Sequence, residues 1–93
     1  MKLKNKIAVV TGGARGIGAA AAGELSAEGA VVVCGDISFR NREKLVLNEA
    51  GIYEINLDVT SEKSVASMIK AVMAELGRID ILVNNAGRVS SKI

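Results

Sequence analysis

Ile7-Ala8-Val9-Val10-Thr11-Gly12-Gly13-Ala14-Arg15-Gly16-Ile17-Gly18 passes from an apolar, mostly β-branched run into glycines, and then into an alanine-rich stretch. A short apolar run that ends in glycine has the pattern of a strand buried on both faces. The turn after it leaves backbone N–H groups unpaired at a helix start and lets a pyrophosphate approach without meeting Cβ atoms. Its spacing is Gly-x-x-x-Gly-x-Gly from Gly12. That is neither the Gly-x-Gly-x-x-Gly of many dinucleotide folds nor a P-loop, which would continue Gly-Lys-Ser/Thr. The turn reads as a phosphate cradle between strand and helix; a glycine turn with no ligand is the competing reading.

Working outward, three further runs have strand character: Val31-Val32-Val33-Cys34, Tyr53-Glu54-Ile55-Asn56-Leu57 and Ile81-Leu82-Val83. The Tyr53 run alternates, as a strand nearer a sheet edge does. Segments of helical period lie between them. From Thr60 to Leu76, Val65, Met68, Ile69, Val72, Met73 and Leu76 make one apolar stripe, with Thr60 or Ser61 to cap its start and Gly77 to close its end. The stretch from Gly16 to Glu28 is rich in alanine, and Gly29 stands where a helix would close. A third, more polar helix is expected from Ser38 to Asn48, where Leu45 and Leu47 give only a weak apolar edge. Strand and helix then alternate as β-α-β-α-β-α-β, which predicts right-handed crossovers and a parallel sheet.

The 93 residues suffice for one small domain. Twelve Lys and Arg against ten Asp and Glu give a net charge of +2, with the basic residues scattered from Lys2 to Lys92. Nucleic acid is not expected as a partner, because that footprint is a basic stripe. Phe39 and Tyr53 are the only aromatics, so no row of rings is present for stacking bases. Histidine is absent, which removes imidazole acid/base chemistry. The single cysteine, Cys34, sits in an apolar run and reads as a buried thiol in a reducing compartment. No metal site is expected. No uncharged apolar run approaches the roughly 18–20 residues of a membrane span, and no secretory signal is recognisable, so a cytoplasmic location is expected.

Asp36 ends the second strand, eighteen residues after Gly18. An acid at about that distance hydrogen-bonds the adenosine ribose hydroxyls and repels the extra phosphate of NADP. With Ile37 next to it rather than a basic residue, the expected cofactor is NAD, NADP being the weaker choice; Arg15, Arg40 and Arg42 would soften the preference if they approached a phosphate. The competing reading of Asp36 is a solvated turn residue or helix cap. Asp58 lies at the carboxyl end of the third strand, either in the crevice where open α/β sheets bind ligands or as a helix N-terminal carboxylate favoured by the macrodipole. Asn84 and Asn85 offer amides to neighbouring strands, and Ala86 and Gly87 have little bulk to obstruct a ligand. Asn84 is assigned to structure.

Thr11-Gly12-x-x-x-Gly16-Ile17-Gly18, Leu57-Asp58-Val59-Thr60 and Asn84-Asn85-Ala86-Gly87 together resemble three motifs of the short-chain dehydrogenase/reductase family, in order and at suitable spacing. The resemblance runs from Lys6 to Gly87 and implies a partial Rossmann-like sheet in strand order 3-2-1-4. It implies that Gly12, Arg15, Gly16, Ile17 and Gly18 surround the pyrophosphate and adjoining ribose, that Asp36 and Ile37 meet the adenine ribose, and that Asp58 and Val59 meet the adenine. Asn85, Ala86 and Gly87 would lie by the ribose and under the nicotinamide side.

The family's Tyr-x-x-x-Lys pair and its catalytic serine have no counterpart here. Tyr53 is followed four residues on by Leu57, and Ser90 and Ser91 come too soon after the Asn-Asn-Ala-Gly segment. No catalytic residue is therefore assigned. Residues 1–93 are expected to be the N-terminal, cofactor-holding part of one such domain, without turnover alone. The parent would move hydride between NAD(H) and a small-molecule carbonyl or secondary alcohol, as a homo-oligomer if full length. A stand-alone NAD or adenine-nucleotide module and an inactive fragment are the alternatives.

Overall fold

The computed structural model describes residues 2–85. The apolar runs form β1 (Ile7–Thr11), β2 (Val31–Asp36), β4 (Tyr53–Asn56) and β5 (Ile81–Asn84), with a two-residue β3 (Val46–Leu47). Helices α1 (Gly16–Ala27) and α2 (Glu62–Leu76) complete the fold. The sheet order is β3-β4-β2-β1-β5. Its four long strands are parallel in the order expected from the resemblance, and Thr11 pairs with both Gly35 and Asn84 while Asp36 pairs with Asn56. This register brings the carboxyl ends of β1, β2, β4 and β5 together.

The expected helix from Ser38 to Asn48 does not form, and the sheet is mixed rather than wholly parallel. β3 instead runs antiparallel to β4, with Val46 opposite Glu54 and Leu47 opposite Tyr53. Local side chains explain the difference. Asn41 adopts a left-handed φ of 63°, which ends any helix begun at Ser38. Asn48 Oδ1 accepts the amides of Ala50 and Ile52 at 2.9 and 3.0 Å, closing a hairpin turn of the kind Asn favours. Arg42 then crosses to β4, where its Nε lies 3.1 Å from Glu54 Oε1.

Alternation along the strands sorts the core onto two faces. Ile7, Val9, Val33, Ile55 and Leu57 pack under Met68 and Val72 of α2. Ala8, Val10, Val32 and Cys34 pack on the other face with Ala22 of α1 and Ala30. Complete burial of a side chain such as Ile55 stabilises the fold by about 1.5–3 kcal/mol. Part of the predicted α2 stripe stays in solvent: Ile69 and Met73 are about half exposed, and Leu82 on the edge strand β5 is 62% exposed. Among the described residues no helix is long and apolar enough to cross a membrane.

The ends of the strands opposite the glycine turn are tied by Asp80. Its Oδ2 accepts the Ile7 amide and Arg78 Nε, both at 2.8 Å, while Arg78 Nη2 donates to Asn5 O. The Ile7 amide, then Arg78, hold this carboxyl below its ordinary range.

Candidate functional site

The glycine turn is shaped by what lies beneath it. A Cβ on Gly13 would fall 2.6 Å from Cys34 Sγ, so the turn lies directly on β2. Burial, then the charges of Glu54 and Asp36, push the Cys34 thiol up to about 11. A Cβ on Gly18 would fall 2.1 Å from Gly12 O and 2.7 Å from Asn85 Nδ2. Only glycine at position 18 lets the first turn of α1 come this close to the end of β1. The Gly35 position is equally tight, because a Cβ there would meet Leu57 Cδ2 at 2.8 Å.

At the start of α1, Arg15 occupies the N-cap position and its side chain makes no capping bond. The first-turn N–H groups thus keep their positive end of the helix dipole without a protein acceptor from that cap. Ile17 projects from this turn and is 79% exposed.

Asp36 reaches back to the turn: its Oδ2 accepts the Ala14 amide at 3.1 Å and its Oδ1 accepts the Ser38 amide at 2.9 Å. Partial burial pushes this carboxyl up, but the Ser38 and Ala14 hydrogen bonds and the Arg15 guanidinium outweigh it and hold it below its ordinary range. The Asp58 carboxylate is organised from its own segment, Oδ1 accepting the Thr60 hydroxyl at 2.6 Å and the Thr60 amide at 3.0 Å. These two bonds hold it below its ordinary range as well. Ser64 Oγ accepts the Asp58 amide at 2.9 Å, which fixes this segment to the first turn of α2.

A cleft of about 320 Å³ opens between these segments, lined by Gly12, Asp36, Ile37, Leu57, Asp58, Val59, Thr60 and Asn85. It falls within the size range of small-molecule sites. Six residues singled out in the sequence, Gly12, Asp36, Ile37, Asp58, Val59 and Asn85, meet there. Arg15, Gly16, Ile17 and Gly18 are not part of this lining and form the adjoining start of α1. Ala86 and Gly87 lie outside the described residues.

Sequence reading passed over Thr11, a nearly buried residue that joins the two sides of the site. Its Oγ1 accepts the Asn85 amide at 2.9 Å and donates to Asn84 Oδ1 at 3.2 Å. Asn85 Nδ2 in turn donates to Gly12 O at 3.3 Å. Leu57 and Thr60, read from the sequence as a strand residue and a candidate helix cap, also line the cleft. Arg42 is held by Glu54 and packs over Phe39, 5.9 Å from the ring centroid. Tyr53 sits in β4 against the α2-side core, consistent with packing rather than acid/base work.

Four parallel strands of an α/β sheet, with a glycine turn after β1, the Asp36 carboxylate at the end of β2 and the Asp58 carboxylate just after β4 converging at their carboxyl ends, define a doubly wound, nucleotide-binding class of fold. Over residues 6–93 the sequence matches the short chain dehydrogenase family, and the chain belongs to that family. It is 40% identical over 89 residues to meso-2,3-butanediol dehydrogenase of Serratia marcescens, a match covering 94% of this chain and 36% of that protein. It is 40% identical over 93 residues to the 3-oxoacyl-[acyl-carrier-protein] reductase FabG of Thermotoga maritima, covering 94% and 37%. The chain thus spans a little over a third of the length of these relatives. Among solved structures, the ligand-free aldohexose dehydrogenase of Thermoplasma acidophilum superposes with a TM-score of 0.79 at 36% identity, covering 95% of this chain and 32% of that one. A short-chain dehydrogenase/reductase of Serratia marcescens superposes with a TM-score of 0.75 at 34% identity, covering 97% and 39%.

Proposed function

We propose that this chain is the cofactor-holding part of a short-chain dehydrogenase that uses NAD in preference to NADP. The observation that carries this reading is the cleft in which Asp36 and Ile37 face Asp58 and Val59 beside the uncapped start of α1. Each part fits a dinucleotide. The first-turn amides of α1 suit a pyrophosphate, and the approach beside Gly16 is open, with nothing within 4 Å of where its Cβ would lie. Asp36 offers a carboxylate to ribose hydroxyls, and its negative charge disfavours a phosphate on the same ribose. Ile37 and Val59 are exposed in the cleft lining and offer apolar surface to a base.

The cofactor, when bound, supplies the hydride chemistry, and the residues of this chain bind and orient it. The parent protein would act on a carbonyl or secondary alcohol. The butanediol and 3-oxoacyl relatives carry such groups in their names. The domain assignment, 1–93 as one part of a single nucleotide-binding domain, belongs to the same proposal.

Titration calorimetry with NAD and NADP tests it. The chain should bind NAD saturably and NADP more weakly, and Asp36→Ala should narrow that gap by about tenfold, the order of one charge-assisted contact. An unchanged NAD/NADP ratio in the variant would place Asp36 away from the ribose, and no saturable binding of either would refute the proposal.

A further inference from the structure

We infer that Asn56 is a positioning residue for the adenine end of the nucleotide and acts through Ile37. The inference rests on the reading of the cleft given above and names a residue that the reading does not contain.

It follows from the missing helix. Had residues 38–48 formed a helix, the Ile37 carbonyl would have accepted its first intrahelical bond. In the fold that does form, the one hydrogen bond Ile37 O receives among the described residues comes from the side chain of Asn56, Nδ2 donating at 3.3 Å. The Asn56 amide donates to Arg42 O at 2.8 Å. One residue on β4 therefore holds both ends of the segment from Ile37 to Arg42. Within the segment, Phe39 and Arg40 donate to Asp36 O and Ser38 O at 3.2 and 2.9 Å, and Arg42 donates to Arg40 O and packs over Phe39, but none of these contacts reaches the Ile37 carbonyl.

Ile37 needs such an anchor because its side chain has no core to hold it. It is 62% exposed and lines the cleft. Asp36, one residue earlier, is already fixed by the Ala14 and Ser38 amides. Without the Asn56 bond the peptide between Ile37 and Ser38 is held only from its N–H side, by the Ser38 bond to Asp36 Oδ1, and its carbonyl no longer fixes the Ile37 side chain in the cleft wall. The opposite wall is fixed independently by Ser64 and Thr60, so the loss should fall on one wall only.

AMP, which carries the adenine and its ribose, is the probe. Asn56→Ala should weaken AMP affinity about 3- to 10-fold, the equivalent of one neutral hydrogen bond. Ile37→Ala should also weaken it. In the Ile37→Ala background the Asn56 change should have less than about a twofold effect, because both act on one contact. Unchanged affinity in Asn56→Ala, or fully additive losses in the double variant, would overturn the inference while leaving the cleft reading intact. Absence of saturable AMP binding by the unaltered chain would remove both. A second measurement needs no variant: exchange of the Asn56 side-chain amide protons, followed by NMR, should be slower than that of the exposed Asn41 and slow further with AMP. Equal rates for the two residues, with and without AMP, would also overturn it.

Discussion

The two helices of this chain start in opposite ways. α2 begins at a cap: Ser61 Oγ accepts the Ser64 amide at 3.1 Å, Glu62 adds a negative charge to the first turn, and Gly77 closes the far end with φ 90°. α1 begins at Arg15, with no side-chain cap and no acid in its first turn. α2 buries Met68 and Val72, whereas α1 buries only Gly18 and Ala22. The helix that serves the fold is completed by its own sequence. The helix beside the cleft has an incomplete N-terminus that an anionic ligand would complete, and small residues that bring it close to the sheet.

Four changes would break or sharpen this contrast. Gly18→Val should have the largest effect, because its Cβ meets a backbone oxygen that cannot swing away. We expect a loss of about 1–3 kcal/mol or more in chemical denaturation, together with loss of detectable NAD binding. Ser61→Ala should lower stability by about 0.5–2 kcal/mol with nucleotide affinity of the folded chain unchanged, as paired denaturation and titration would show.

Arg15→Ser is the converse experiment. A cap supplied to α1 should raise stability by up to about 1 kcal/mol and weaken NAD binding, since a hydroxyl would compete for the same amides. If stability and affinity rose together, the start of α1 would not be where phosphate binds. The smallest effect concerns pH. The carboxyls of Asp36, at the end of β2, and Asp80, after α2, both lie below their ordinary 3.8 in the folded chain. Their contribution is complete well above that value and is lost as pH falls through about 4 and below. Thermal midpoints measured down this range should drop in the unaltered chain, and Asp80→Asn should flatten the drop.

Most of the fold was legible because the strands carry their burial locally. Ile7 to Val10 and Val32 to Cys34 are buried along their length, as central strands are. The segment from Ser38 to Asn48 was misread because its composition is neutral toward a helix, and side-chain bonds from Asn48 and Asn56 decide the outcome. Those bonds depend on which strands become neighbours, and a linear sequence does not display neighbours. The site divides in the same way. Glycine spacing and acids at strand ends mark Gly12, Asp36 and Asp58, whereas Thr11 and Gly35 matter only once β5 and Leu57 are known to lie against them.

Gly13 resting on Cys34 gives the molecule an internal clock. A thiol that is buried and protonated at neutral pH reacts with an alkylating reagent only in the moments when its cover is displaced. Labelling of Cys34 under native conditions therefore counts openings of the glycine turn, or of the strand beneath it, against the global unfolding rate.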